Sequence, residues 1–152
     1  MTSSDVVNGS RTAMATTVGD LFEKQATLAP DATALWYRDT VVSYELLNRR
    51  THAIAEYLRL ECVAGTRVAI RMKRGVTLVE ALIGVVKSGL TYVPVPLGFT
   101  GSRVAKILEQ SSPCLVLTDG SAEALSELPP CRHVSVDDVV PVWMRRLEES
   151  HR

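Results

Sequence analysis

The stretch VVKSGLTYVPVPLGFTGSRVAKILEQSSPCLVLTD, Val85 to Asp119, decides the fold class. An apolar helix runs into Gly89, and a short apolar strand follows from Thr91 to Val95. A loop with Pro94, Pro96 and Gly98 reverses the chain, and a helix begins near Ser102. The run Ser111-Ser112-Pro113 ends that helix, because a residue before proline avoids helical torsions. A second strand, Cys114 to Thr118, closes the unit.

Upstream, Arg67 to Met72 reads as a strand, and Gly75 opens a helix that is apolar nearly all round and therefore expected to be buried. From Arg67 the order is strand, helix, strand, helix, strand. This alternation predicts an α/β fold, a small parallel sheet with flanking helices and right-handed crossovers. Further upstream, Val18 to Ala29 fits a short helix ending at Pro30. Ala32 to Tyr37 and Thr40 to Ser43 read as strands joined by a polar turn at Arg38 and Asp39. Ser43 is placed to cap a helix of about four turns. Its apolar face carries Tyr44, Leu47, Thr51, Ile54, Ala55 and Leu58, and Gly65 marks the turn after it.

Downstream, residues 120–130 form a polar linker expected to hold one short helical turn, and Cys131 to Val136 is expected to add a last strand. Asp137 to Leu147 is expected to be a helix, capped by Asp137 or Asp138, with Pro141 in its first turn. The domain division is a loose tail over 1–17, one domain over 18–140, and a C-terminal helix or tail over 141–152.

The 152 residues suffice for one domain with its own core. The 17 basic and 17 acidic residues balance, so no basic field is available for nucleic acid. The longest apolar segment, Val76 to Val86, is broken by Thr77, Glu80 and Gly84 and is far short of the ~20 residues of a membrane span. Met1 to Thr17 has no apolar region of the secretory type. The three cysteines, Cys62, Cys114 and Cys131, are odd in number and have no close pairing in sequence. They read as reduced thiols in a cytoplasmic protein.

Four segments in order, LFEKQATLAPDATAL (Leu21–Leu35), VSYELLNRRTHAIAEYL (Val42–Leu58), RVAIRMKRGVTLVEALIGVVKSG (Arg67–Gly89) and TYVPVPLGFTGSRVAKILEQSSPCLVLTD (Thr91–Asp119), carry a family resemblance. Together they resemble the start of an amino-acid adenylation domain of the nonribosomal-peptide-synthetase type, within the acyl-adenylating, AMP-binding superfamily. The resemblance covers about two-thirds of the chain and implies the first part of that domain's large N-terminal region. Departures are visible. Leu46 stands where the family has Glu, and Pro94-Val95-Pro96-Leu97 lacks the family's loop aspartate. Thr100 replaces a proline, while Arg103 is kept.

Members of this family use ATP and Mg2+ to turn a carboxylic acid into an acyl-adenylate and pyrophosphate, then load a carrier-protein thiol. Their phosphate loop is rich in Ser, Thr and Gly and ends in Lys-Gly; its N–H groups and lysine hold the phosphates. The nearest sequence here, Thr118-Asp119-Gly120-Ser121, has one glycine, no lysine and an aspartate that repels phosphate. The resemblance therefore carries no catalytic, cofactor-binding or metal residue onto this chain, and ATP and Mg2+ are implied only for a completed domain.

Individual candidates receive modest readings. Arg71, Lys73 and Arg74 follow a strand at the end where open parallel sheets bind ligands, yet a solvated loop is the favoured reading. His52 is read as an exposed helix pair with Glu56. Cys131 and His133 resemble half a metal site, but zinc needs three or four ligands. Asp137 and Asp138 are read as caps. Trp143 and Leu147 share one helical face, as a partner contact or as the last buried stripe.

Three functions stay open: half of an adenylating enzyme completed by a second chain, a non-catalytic docking module of a biosynthetic assembly line, or an inactive gene remnant. An apolar edge and face left uncovered predicts a complementary chain, an assembly-line protein or self-association as partner.

Overall fold

The computed structural model describes residues 16–121 and 129–152. Its centre is a four-stranded parallel sheet built from β3 (Arg67–Ile70), β4 (Thr91–Pro94), β5 (Leu115–Thr118) and β6 (His133–Ser135). The strand order is β4-β3-β5-β6. Val68 pairs with Leu115 and Ile70 with Leu117. Alternation along the strands then sends Val68, Ile70, Leu115 and Leu117 to one face and Ala69 and Val116 to the other. Both faces are covered, which explains why the inner strands are apolar without interruption. β4 lies at the edge, where Pro94 withholds no ladder donor that a further neighbour needs. The expected strands run one or two residues longer than observed, but their hydrogen bonds continue. Arg71 N–H donates to Leu117 O at 2.9 Å, Val95 N–H to Ile70 O at 2.9 Å, and Cys114 N–H to Arg67 O at 2.8 Å.

A separate antiparallel hairpin, β1 (Thr33–Tyr37) and β2 (Thr40–Ser43), precedes the sheet. Five helices complete the described chain: α1 (Val18–Leu28), α2 (Tyr44–Glu61), α3 (Val76–Ser88), α4 (Gly101–Ser111) and α5 (Val136–Ser150). Thr17 and Asp20 form a reciprocal capping box at α1. The expected Ser43 cap is present, its hydroxyl accepting from Leu46 N–H at 3.2 Å. Helix α2 has 18 residues, about five turns rather than four. Helix α3 ends at Gly89, whose φ of 80° suits a residue without Cβ.

The sheet is sandwiched unequally. α2, α3 and α5 bury the face of Val68 and Leu117, with Ile54, Leu58, Ala81, Val85, Val136 and Val140 filling the core. Among the described helices α4 alone covers the other face, through Val104 and Leu108 against Ala69, Val95 and Val116. The step from β3 to β4 uses α3 on the first face, and the step from β4 back to β5 uses α4 on the second. Direction and face both reverse, so the two crossovers share one hand.

Several expectations require correction. α3 is not buried all round: Glu80, Ala81, Gly84 and Val85 are buried, while its other residues are partly exposed. Neither Asp137 nor Asp138 caps α5. Ser135 holds the cap position and both aspartates are exposed in the first turn. The helix starts earlier because β6 ends at Ser135 and Val136 is drawn into the core. Pro141 therefore falls in the second turn, and α5 is continuous across residues 140 and 141. Ser112, the residue before Pro113, leaves helical torsions by the left-handed region at φ 45°. The helical turn expected in the 120–130 linker lies largely outside the described residues, as does most of the tail over 1–17.

Candidate functional site

β3 and β5 are neighbours, yet the chain leaves them in opposite directions along the sheet. Such a reversal opens a crevice at the carboxyl ends of the two strands, where open α/β sheets bind ligands. Two loops bound it here. One is Arg71-Met72-Lys73-Arg74 after β3, and the other is Asp119-Gly120-Ser121 after β5.

The basic cluster divides. Lys73 and Arg74 are exposed, in line with a solvated loop. Arg71 departs from that expectation at 4% exposure, because it continues the strand alternation into the covered side of the sheet.

Asp119 organises the opposite loop. Its Oδ1 accepts from Ser121 N–H at 2.9 Å and also from the Ser121 hydroxyl. Burial pushes the carboxyl upward, but these bonds, with those from its own N–H and Lys73 N–H, outweigh burial and hold it below the ordinary carboxylate range. Asp119 is therefore ionised at neutral pH. It occupies the Ser121 N–H, a group a phosphate would need, and adds a repelling charge.

Beside the crevice runs a mainly apolar groove of about 510 Å3. Ile70, Met72, Leu78 and Leu82 line it together with Tyr92 and Pro94 to Leu97, and Lys73 and Arg74 also reach it. Tyr92 is 43% exposed on the edge strand. Arg103 lies 4.0 Å over the Phe99 ring, bracing the loop that follows β4.

The other candidates lie away from this crevice. His52 is partly exposed and lines a surface cleft with Arg49, Met144, Leu147, Glu148 and His151. Glu56 is ion-paired with Arg59, three residues on, rather than with His52. His133 Nδ1 lies 3.0 Å from Cys131 O, a local contact between neighbours. Among the described residues no group of three or more His, Cys, Asp or Glu is arranged to hold a metal ion. Trp143 packs edge-on against Tyr57 at 6.1 Å between ring centroids, with the Arg146 guanidinium 5.0 Å above its indole. This contact within the chain accounts for Trp143 as part of a packed stripe. No described helix is long and apolar enough to cross a membrane.

Sequence reasoning missed two further buried charges. Glu80, 5% exposed, is held by Arg50 at 2.9 Å. Burial pushes its carboxyl up, while the Arg50 hydrogen bond and charge oppose the rise. Lys87 has a side chain only 3% exposed, lying between Glu23 at 3.8 Å, Asn48 and the Phe22 ring at 5.0 Å. Burial pushes this lysine down to about 8 against the pull of Glu23. The available signal was a charge inside an otherwise apolar run, at Glu80 and again at Lys87.

The model of the family described as AMP-binding enzyme matches residues 22–150. The chain is 34% identical over 127 residues to tyrocidine synthase 3 of Brevibacillus parabrevis, covering 80% of this chain and 2% of that protein. It is 39% identical over 124 residues to CymA of Salinispora arenicola, described as a probable non-canonical nonribosomal peptide synthetase, again covering 80% of this chain and 2% of that protein. It is 34% identical over 122 residues to syringomycin synthase SyrB1 of Pseudomonas syringae, covering 80% of this chain and 20% of that one. Among solved structures, the nonribosomal peptide synthetase FmoA3 superposes with a TM-score of 0.77 at 26% identity, over 83% of this chain and 14% of that chain. The N-terminal subdomain of Klebsiella oxytoca NpsA shares the fold, with a TM-score of 0.71 at 22% identity over 82% of this chain and 31% of that chain. This chain thus spans only a small part of the proteins it matches.

Proposed function

This chain belongs to the AMP-binding enzyme family, as the N-terminal part of an adenylation domain of the nonribosomal-peptide-synthetase type, and we propose that it provides the sheet scaffold of an ATP-dependent adenylating site completed by a second chain. The observation that carries this reading is the crevice between β3 and β5, formed on a tightly packed sheet but lined for positioning rather than for phosphate chemistry. Asp119 stays charged and holds the Ser121 N–H, so the residues at the crevice do not by themselves fit a nucleoside triphosphate. None of the 152 residues forms a Ser/Thr/Gly-rich loop ending in Lys-Gly.

On this reading the partner chain supplies the phosphate loop, the acid-binding pocket and the small lid. ATP and Mg2+ bind only to the pair. The substrate class is an amino acid or another carboxylic acid, whose activation yields an acyl-adenylate and pyrophosphate. FmoA3 supports that class, since its structures include forms bound to AMPPNP and to alpha-methyl-L-serine-AMP. The partner is a complementary adenylation-domain chain or another assembly-line protein, in keeping with the multidomain synthetases the chain resembles. The role of this chain's own residues is to hold the sheet and to set the two loops in place.

ATP–pyrophosphate exchange tests the reading directly. The chain is assayed alone and after mixing with a separately expressed piece that carries the phosphate loop and lid of a related adenylation domain. The expected result is background exchange alone and amino-acid-dependent exchange from the pair. Exchange by the chain alone, or none with any complementary piece, overturns it.

A further inference from the structure

Cys62, Cys114 and Cys131 are distant in sequence, yet the fold gathers them at the amino end of the sheet, opposite the crevice. Cys62 ends α2, its N–H donating to Leu58 O at 2.9 Å. Cys114 enters β5, and its Sγ–H donates to Glu61 O at 3.5 Å, the carbonyl adjoining Cys62. Cys131 precedes β6, with its Sγ 3.9 Å from Pro113 O, the carbonyl adjoining Cys114. Cys114 also packs against the core cluster that contains Cys62. All three are free thiols; Cys62 is buried, and Cys114 and Cys131 are partly exposed.

We propose that Cys114 and Cys62 form a peroxide-oxidisable dithiol, with Cys114 meeting the oxidant and Cys62 closing a disulfide that ties the end of α2 to the start of β5. The solvent contact of Cys114 assigns it the first step. Its thiolate attacks one peroxide oxygen, the O–O bond breaks, and Cys114 becomes a sulfenic acid as hydroxide leaves. The Cys62 sulfur, on losing its proton, attacks the Cys114 sulfur and expels a second hydroxide. The released protons turn both hydroxides into water. The net change is two thiols and one peroxide giving one disulfide and two waters, with each sulfur oxidised by one electron and each peroxide oxygen reduced by one.

Burial pushes the Cys62 thiol up to about 12, and the contact with Cys114 adds to the rise. The Cys131 thiol is also raised by burial. Closure is therefore slow at neutral pH and faster as pH rises.

The test treats the intact chain with a small excess of hydrogen peroxide, alkylates the remaining thiols, and maps peptides without reduction. The expected products are a linked Cys62–Cys114 peptide pair, a mass loss of about 2 Da that dithiothreitol reverses, and an alkylated Cys131. Cys131→Ser keeps the link and Cys62→Ser abolishes it. The oxidised chain also melts at a higher temperature, because the cross-link restricts its unfolded state. A Cys114–Cys131 link, three alkylated thiols after peroxide, or over-oxidation of Cys114 without any link would overturn the assignment.

Discussion

The two faces of the parallel sheet are buried to the same degree by different means. Val68 on one face is 0% exposed and Val116 on the other is 1% exposed. Three helices hold the first face, and α2 is tied to both others: to α3 by Arg50 to Glu80, Lys87 to Asn48 and Arg59 to Lys87 O, and to α5 by Arg49 to Glu148 and the Tyr57–Trp143 ring contact. Among the described helices only α4 covers the second face, through a shorter row of aliphatic contacts. Equal burial therefore does not imply equal rigidity. A side chain boxed in by three helices, two of them braced against α2, leaves a void when shortened, whereas one helix can settle inward.

Matched substitutions test that difference. Val68→Ala should cost about 3 kcal/mol and Val116→Ala about 1.5 kcal/mol in chemical denaturation, because the penalty grows with the cavity that cannot collapse. Equal costs would break the comparison. A second probe adds bulk instead of removing it. A Cβ at Gly84 would stand 2.5 Å from Ile54 Cγ2 and 2.7 Å from Ile54 Cβ, so α2 and α3 must separate. Gly84→Ala is expected to lose about 2 kcal/mol despite its better helix propensity, since overpacking a braced interface exceeds the propensity gain. Added stability in that variant would show that the helices are free to move.

Lys87 sharpens the same contrast by pH. Its folded value is about 8 against an ordinary 10.5. Between these values the unfolded chain binds more protons, so stability rises with pH as the folded lysine gives up its charge. Cys62, raised to about 12 from 9.0, acts in the opposite direction above pH 9. The rise is therefore cleanest from pH 8 to 9, where it should reach about 1 kcal/mol. Denaturation of the native chain and Lys87→Met across that window checks it, and the variant should lose the rise. The smallest expected effect is at Ser43, which caps a helix of the braced face. Ser43→Ala should cost about 1 kcal/mol. Hydrogen exchange should show the Leu46 amide opening faster while amides of β5 keep their protection.

Much of this molecule was legible along the chain. Apolar periodicity found the strands and helices, and Ser43, Gly75 and Gly89 marked helix limits because caps and left-handed turns make local demands on residue type. The motif after β4 pointed to the family. Terminal caps were less legible: Asp137 and Asp138 are good cap residues by type, yet the pairing of Ser135 with Thr118 and the burial of Val136 fixed the start of α5. The candidate crevice was legible only in part. The basic loop was seen, but not that Arg71 is buried or that Asp119 takes the N–H and hydroxyl of Ser121.

The sequence by itself determined the α/β alternation, the near-continuous apolar strands and the absence of a phosphate loop among these 152 residues. These depend on residue type and on spacings of a few positions. Tertiary structure alone decided the order β4-β3-β5-β6, the uneven covering of the two faces, the partners of the buried Glu80 and Lys87 side chains, and the meeting of three cysteines. Each of these joins residues tens of positions apart. Which distant groups meet is set by how helices pack on the sheet and by the need to satisfy every buried charge, neither of which is written in any single stretch of the chain.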